Sequence, residues 1–207
     1  MMVVSVKTGT DPETERVELS GGCILAYRKS YLPPSCRGEA LPRPGAELPP
    51  GGEEALCFAA ACFRAEQAAL RLISRAEQTV FGISRKLERR GHAPGPVQAA
   101  VSRLADLDLL NDKRYAFRWV QSRLSRGTEG PLKLLQGLCG RGIDRDDAAS
   151  AIRTALDFEG EMGLLRRYLA KKFPGFNGRD GEEYHVKQKL RFAGFSGSVI
   201  RAFWEEL

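Results

Sequence analysis

Lysine and arginine are the residues of this chain whose number and placement could do chemistry. That chemistry is electrostatic recognition of phosphate or of an acidic protein surface. The 207 residues hold 32 Lys and Arg against 26 Asp and Glu, a formal charge of +6. The excess is uneven: residues 1 to 74 carry 8 basic against 9 acidic side chains, and residues 75 to 207 carry 24 against 17. Three groups on helix-like segments stand out: Arg85, Arg89 and Arg90; Arg114 and Arg118; and Arg166, Arg167, Lys171 and Lys172. These nine are the candidate residues for contact with a partner or with DNA. For each, a solvated helix face is the competing explanation, because a single surface charge contributes little. In EGEMGLLRRYLAKKF acids lead and bases trail, so part of the last group also complements the helix dipole.

Other chemistries find little support. His92 and His185 are the two histidines, and neither has metal-ligand spacing to Cys, Asp or Glu. The five cysteines, Cys23, Cys36, Cys57, Cys62 and Cys139, are odd in number and form no CxxC pair, which suits reduced thiols. Cys57 and Cys139 lie in apolar helical stretches and read as small core residues. Phosphate-loop, dinucleotide-binding and nucleophile-elbow motifs are missing. The expectation is a protein that is not an enzyme, with no cofactor and no metal. No apolar run is long enough to span a membrane, and MMVVSVKTGTDPE lacks the regions of a signal peptide. A cytoplasmic, monomeric protein is expected.

The elements that must position the cations follow from an internal repeat. A leucine, three residues, a glycine and a further residue recur at Leu87/Gly91/His92, Leu138/Gly142/Ile143 and Leu190/Gly194/Phe195, with the glycines 51 and 52 positions apart. Six past each glycine come Val97, Ala148 and Ile200; ten past come Val101, Ile152 and Trp204; thirteen past come Leu104, Ala155 and Leu207. A leucine four residues before a glycine fits the last turn of a helix closed by a positive-φ residue. The later columns mark the buried stripe of a second helix. Asp144 and Ser196 suit its N-cap, and the first copy has Ala93 there, followed by Pro94. His92, standing where the other copies have Ile143 and Phe195, reads as packing.

The remaining segments complete the expected layout. VVSVK, RVEL and CILAY read as strands of a small β-hairpin element over residues 1–30, with Ser20, Gly21 and Gly22 turning the last two. Residues 31–52 hold six of the 11 prolines, with Gly38, Gly45 and Gly51, and read as a poorly ordered linker. A leading helix follows from Glu53. Ser74 with Glu77 reads as a capping box opening the next helix, in which Val80, Ile83 and Leu87 face one way and Arg85 and Arg89 the other. Phe117, Val120 and Leu124 are the expected stripe of the helix from Asp112. Tyr115 and Trp119 read as core or as binding residues. The resulting division is 53–127 for the leading helix and repeat 1, 128–174 for repeat 2 and 178–207 for a truncated repeat 3. The fold class is mainly α: tandem three-helix repeats forming an elongated, curved array, with a small N-terminal β element.

SRAEQTVFGISRKLERRGH, then VQAAVSRLADLDLLNDKRYAFRWVQSRLSRG, then LLQGLCGRGID resembles the RecX family of recombination regulators. The match is carried by Leu87 to Gly91, Leu109 to Ala116 and Leu138 to Ile143, with Asn111 and Tyr115 as mild substitutions, and covers about residues 70 to 207. The first seventy residues fit no pattern of the family beyond a loose similarity to strand-containing leaders. The resemblance implies a modulator of the RecA recombinase that lies in the groove of the RecA filament. Such a protein usually inhibits ATP hydrolysis and strand exchange in recombination, DNA repair and the SOS response. Two functions are compatible with the residues: a regulator bound to the RecA filament, or a direct, nonspecific binder of single- or double-stranded DNA. Sequence-specific reading is the weaker idea, because no segment supplies a recognition helix rich in Asn, Gln and Arg.

Overall fold

Alternation of apolar and polar residues at the N-terminus builds a three-stranded antiparallel sheet, ordered β1 (Val3–Thr8), β2 (Thr14–Leu19) and β3 (Ile24–Arg28). The computed structural model describes residues 1–37, 42–127, 129–176 and 181–207, the side chain of Phe158 excepted. Gly38 of the expected linker, the start of repeat 2 at Thr128 and the Asn177 to Asp180 stretch lie outside the described residues. Within the sheet Val17 pairs with Val6 on one side and Leu25 on the other. The inward residues of the period-two pattern, among them Val17, Leu19, Leu25 and Tyr27, are buried against Leu56, Ala59 and Ala60 of α1 (Gly52–Ile73). Small alanines let the helix lie close to the sheet.

The proline-rich stretch is tied into this layer. Leu32 and Cys36 are buried in the sheet core, Gly45 N–H donates to the Val3 carbonyl, and Leu48 N–H donates to that of Met1. Prolines that removed strand potential left enough donors for the chain to fold back along β1.

The chain divides into two units, Met1–Leu110 and Asn111–Leu207. In the first, the far end of α1 packs with α2 (Val80–Glu88) and α3 (Pro94–Asp106) around Ala69, Ile83, Leu87, Val97, Val101 and Leu104. The capping box expected at Ser74 does not form. Ser74 keeps helical angles and its hydroxyl donates to the Arg71 carbonyl, whereas Thr79 caps α2 by accepting from Gly82 N–H at 2.9 Å. Ser74 thus closes α1 instead of starting a new helix, and the cap of α2 comes five residues later.

The second unit has two cores. α4 (Asp112–Leu124), α5 (Pro131–Cys139) and α6 (Arg145–Ala155) enclose Ala116, Val120, Leu134, Leu138, Ile143 and Ala148. α7 (Phe158–Lys172), α8 (Glu183–Phe192) and α9 (Gly197–Glu205) enclose Leu164, Leu165, Val186, Leu190, Phe195 and Val199. The cores group the helices one step away from the sequence division: α4 closes the core of α5 and α6, and α7 to α9 make a complete trio. On α4 the inward residues are Ala116 and Val120, and Phe117 is exposed. A helix turns 100° per residue, so a stripe read one position off lands on solvent.

The repeated glycines have a shared geometry. Gly91, Gly142 and Gly194 adopt φ of 86°, 81° and 88°. In each copy the residue after the glycine donates back to the leucine carbonyl, His92 to Leu87 at 3.2 Å, Ile143 to Leu138 at 3.2 Å and Phe195 to Leu190 at 3.1 Å. This Schellman closure explains both ends of the motif, because the residue past the glycine packs near the leucine one turn back. Asp144 and Ser196 cap the following helices by accepting from Asp146 and Val199 N–H, and Pro94 opens α3 behind Ala93. Of the downstream columns, Val97, Ala148, Ile200, Val101, Ile152 and Leu104 are buried, Ala155 and Trp204 are half-buried, and Leu207 lies exposed past the end of α9. Cys57 and Cys139 are exposed, not core residues, while Cys36 and Cys62 are buried.

Candidate basic interaction surfaces

The nine candidate cations fall in both units. Arg85, Arg89 and Arg90 sit at the C-terminal end of α2 and are exposed, where positive charge also suits the helix dipole. The Arg85 guanidinium lies over the Phe81 ring at 5.5 Å, and Arg89 Nε donates to the Arg85 carbonyl at 3.2 Å. These three belong to the first unit. The other six belong to the second, on α4 and α7.

On α4, Arg114 is half-buried in the first turn, with its backbone N–H held by the Asn111 cap at 2.9 Å, and Arg118 is exposed one turn later. On α7 the four cations have different surroundings. Arg166 pairs with Glu206, Arg167 lies beside Gly127, Lys171 is exposed, and Lys172 lines an open pocket. Arg167 and Lys171, four residues apart, share one face, whereas Arg166 and Lys172 lie to either side of it.

The structure adds cationic sites that the sequence did not single out. Two arginines lie against the Trp119 ring of α4, with the Arg123 and Arg141 guanidinium carbons 4.9 and 4.7 Å from the ring centroid. Gly137 on α5 makes room for the indole, since a Cβ there would stand 2.6 Å from Trp119. Arg141 is anchored further by donating to the Gly137 carbonyl at 2.7 Å. Two guanidiniums fixed on a ring lose less freedom when they meet an anion than two mobile ones. Arg123 in turn pairs with Glu129 at 3.7 Å. Glu129 lines the pocket of about 370 Å³ formed with Lys133, Tyr168, Lys172, Lys189 and Phe192. Three lysines therefore line one depression. Of these residues the sequence had singled out Lys172 as a candidate cation and Trp119 as core or binding; Lys133, Lys172 and Lys189 come from three different helices.

The buried charge of the first unit serves another end. Glu66 on α1, 2% exposed, accepts from Arg28 Nε and Nη2 at 3.2 and 3.0 Å and from the Tyr31 hydroxyl at 2.7 Å, with Arg103 Nε at 3.7 Å. Arg28 also binds Asp11 at 2.6 Å. A backbone hydrogen bond from Glu13 and the Arg28 guanidinium hold the Asp11 carboxyl below the ordinary aspartate range. Burial works against the Arg28 charge, yet its bonds to Asp11 and Glu66 outweigh that and raise its pKa. Burial, then the bond to Glu66, pushes the Tyr31 phenol up; burial and Glu15 do the same to Tyr27. The network joins β3, α1 and α3.

Among the described residues no three of His, Cys, Asp and Glu converge as a metal site. No helix among them is long and apolar enough to cross a membrane. His92 is half-buried, and His185 is exposed with its ring 6.4 Å from Phe173.

Comparison with known proteins places this arrangement. The family described as "RecX, second three-helix domain" matches residues 111–152, which are α4 to α6. The chain is 43% identical over 139 residues to the Regulatory protein RecX of Halorhodospira halophila (strain DSM 244 / SL1), covering 65% of this chain and 83% of that one. A crystal structure of regulatory protein RecX superposes with a TM-score of 0.78 at 21% identity, covering 100% of this chain and 99% of that one, and so shares the fold. The crystal structure of RecX from Lactobacillus salivarius superposes with a TM-score of 0.61 at 27% identity over 71% of this chain and 96% of that one. The identity to the Halorhodospira protein across most of its length, with the matched central helix trio, makes this chain a member of the RecX family of regulatory proteins.

Proposed function

We propose that the chain regulates homologous recombination and DNA repair in the cytoplasm by binding the RecA nucleoprotein filament and lowering its ATP hydrolysis and strand exchange. It acts by occupancy, without catalysing a reaction. Membership of the RecX family is the observation that carries this reading. The basic side chains of both units support it, because a filament carrying single-stranded DNA is polyanionic and several modest contacts along a polymer add as avidity. Asn111–Leu207 holds 18 Lys and Arg against 13 Asp and Glu, so the larger share of the attraction is assigned there.

The test is RecA ATP hydrolysis on single-stranded DNA with this protein added below the RecA concentration. Inhibition at substoichiometric amounts supports the reading, and unchanged hydrolysis at saturating amounts rejects it. A binder of DNA alone is distinguished by titration at several salt concentrations. It loses affinity steeply with salt and shows no preference for RecA-coated over bare DNA.

A further inference from the structure

The sheet of the first unit is closed along one edge and open along the other. Beyond β1 the returning chain supplies partners: Val3 N–H donates to the Ala46 carbonyl, and Gly45 and Leu48 N–H donate to the carbonyls of Val3 and Met1. Beyond β3 no such partner is found among the described residues. Leu19 N–H donates to the Cys23 carbonyl and Lys29 N–H to that of Glu13, so the odd-numbered residues of β3 are the ones bonded to β2. The N–H and C=O of Ile24 and Ala26 therefore point out of the sheet, and both residues are exposed. A bare edge of this kind is a template for a further strand.

The outer face beside that edge has positive charge to spare. Lys7 on β1 and Arg16 on β2 stand directly opposite each other, and both are exposed; like charges so placed repel. Neither has an ion pair among the described residues. The carboxylates of β2 are engaged elsewhere, Glu15 with Lys29 at 3.0 Å and with the Tyr27 hydroxyl, and Glu18 with Ser5 Oγ at 3.0 Å. Arg16 is paired with Ala26 across β2 and β3, and a methyl group is a small obstacle between the guanidinium and the open edge. With strands about 4.8 Å apart, a residue opposite Ala26 on an added strand would stand about 10 Å from Arg16. A glutamate and an arginine together span that gap, and Lys7 behind them adds to the positive potential.

We infer that the outer edge of β3 docks an extended, acidic segment of a partner protein, which adds a fourth strand to the sheet and sets a carboxylate over Ala26 against Arg16. Backbone hydrogen bonds supply the affinity, and the alternation of the added strand supplies the selectivity. Its acidic side chains lie on the outer face toward Arg16, and its apolar side chains on the inner face alongside Leu25 and Tyr27. A second copy of this chain is disfavoured, because pairing β3 with itself would set the same cations on both sides of the joint. The surface uses none of the residues assigned to the recombinase reading, and its test contains no recombinase, so either can fail alone.

The probe is a fluorescently labelled peptide of alternating glutamate and valine, measured by anisotropy with the full chain. Wild-type protein binds it, and neither its backbone N-methylated analogue nor a peptide of alternating lysine and valine binds. Arg16→Glu weakens binding about tenfold or more. Ala26→Pro abolishes it, since the N–H removed is one that points away from β2, and an edge strand admits proline at such a position. Circular dichroism and thermal melting check that both variants fold; should Ala26→Pro fail to, the N-methylated peptide decides the same point with the protein unaltered. Wild type leaving the peptide unbound, equal binding of the N-methylated analogue, or Arg16→Glu binding as wild type does overturns the inference. A wild-type dimer in sedimentation that Ala26→Pro splits overturns it in favour of a second copy. Oligothymidylate competing as well as unlabelled peptide overturns it in favour of nucleic acid.

Discussion

Glu66 meets two arginines and a tyrosine in a place that water barely reaches. A carboxylate there is tolerable only because its partners replace hydration, and removing it leaves the side chain of Arg28, 11% exposed, with Asp11 alone. Breaking a buried ion pair from one side costs about 3 to 5 kcal/mol. Because Asp11 remains, Glu66→Ala is expected to destabilise the first unit by about 3 kcal/mol, the lower end, read as a shift in urea midpoint. Alkali acts on the same residues. An unfolded tyrosine releases its proton near pH 10, whereas Tyr27 and Tyr31 hold theirs to higher pH through burial and their bonds to Glu15 and Glu66. The unfolded chain therefore ionises first, so stability is full below about pH 10 and falls as pH rises above it. Unfolding curves at pH 8 and pH 10.5 measure the loss, and Tyr27→Phe with Tyr31→Phe should shrink it.

At the scale of elements, the three Schellman closures differ in how tightly they are crowded. A Cβ at Gly91 would meet nothing within 4 Å, while at Gly194 it would stand 2.4 Å from the Lys133 backbone nitrogen. Gly91→Ala should cost about 1 to 2 kcal/mol for the left-handed backbone alone. Gly194→Ala should cost clearly more, because α5 must retreat; thermal melts of the two variants rank them. The glycine motif was legible in sequence because its determinants lie within six residues: a leucine carbonyl, a glycine and the N–H that follows. Asp144 and Ser196 were legible for the same reason. Ser74 and Phe117 were misread where local patterns tie, since Thr79 lies close enough to compete for the cap and Ala116 is one position from Phe117. Cys57 and Cys139 sit in helices so rich in small or apolar residues that sequence gives little contrast between inner and outer faces. Nothing local says that α4 closes the core of α5 and α6, which depends on contacts between helices.

For the whole molecule, the distribution of charge was visible in the sequence and the grouping of charges was not. Lys133, Lys172 and Lys189 converge from α5, α7 and α8, and the Trp119 stack depends on the missing side chain of Gly137. If the recombinase reading holds, reversing Arg166, Arg167, Lys171 and Lys172 to glutamate should abolish inhibition of RecA ATP hydrolysis while circular dichroism stays unchanged. Inhibition equal to wild type would place the contact elsewhere, with the α2 arginines next to be tested. Arg166 should matter least of the four, since Glu206 already neutralises it.

α1 is one continuous rod whose early residues seal the strand layer and whose later residues seal the first helix trio. Neither layer can open without baring part of the other's wall, so the two should melt as a single cooperative block. Native-state hydrogen exchange should then give the amides of β2 and α3 the same opening free energy, and unequal values would reveal a breaking point midway along the shared helix.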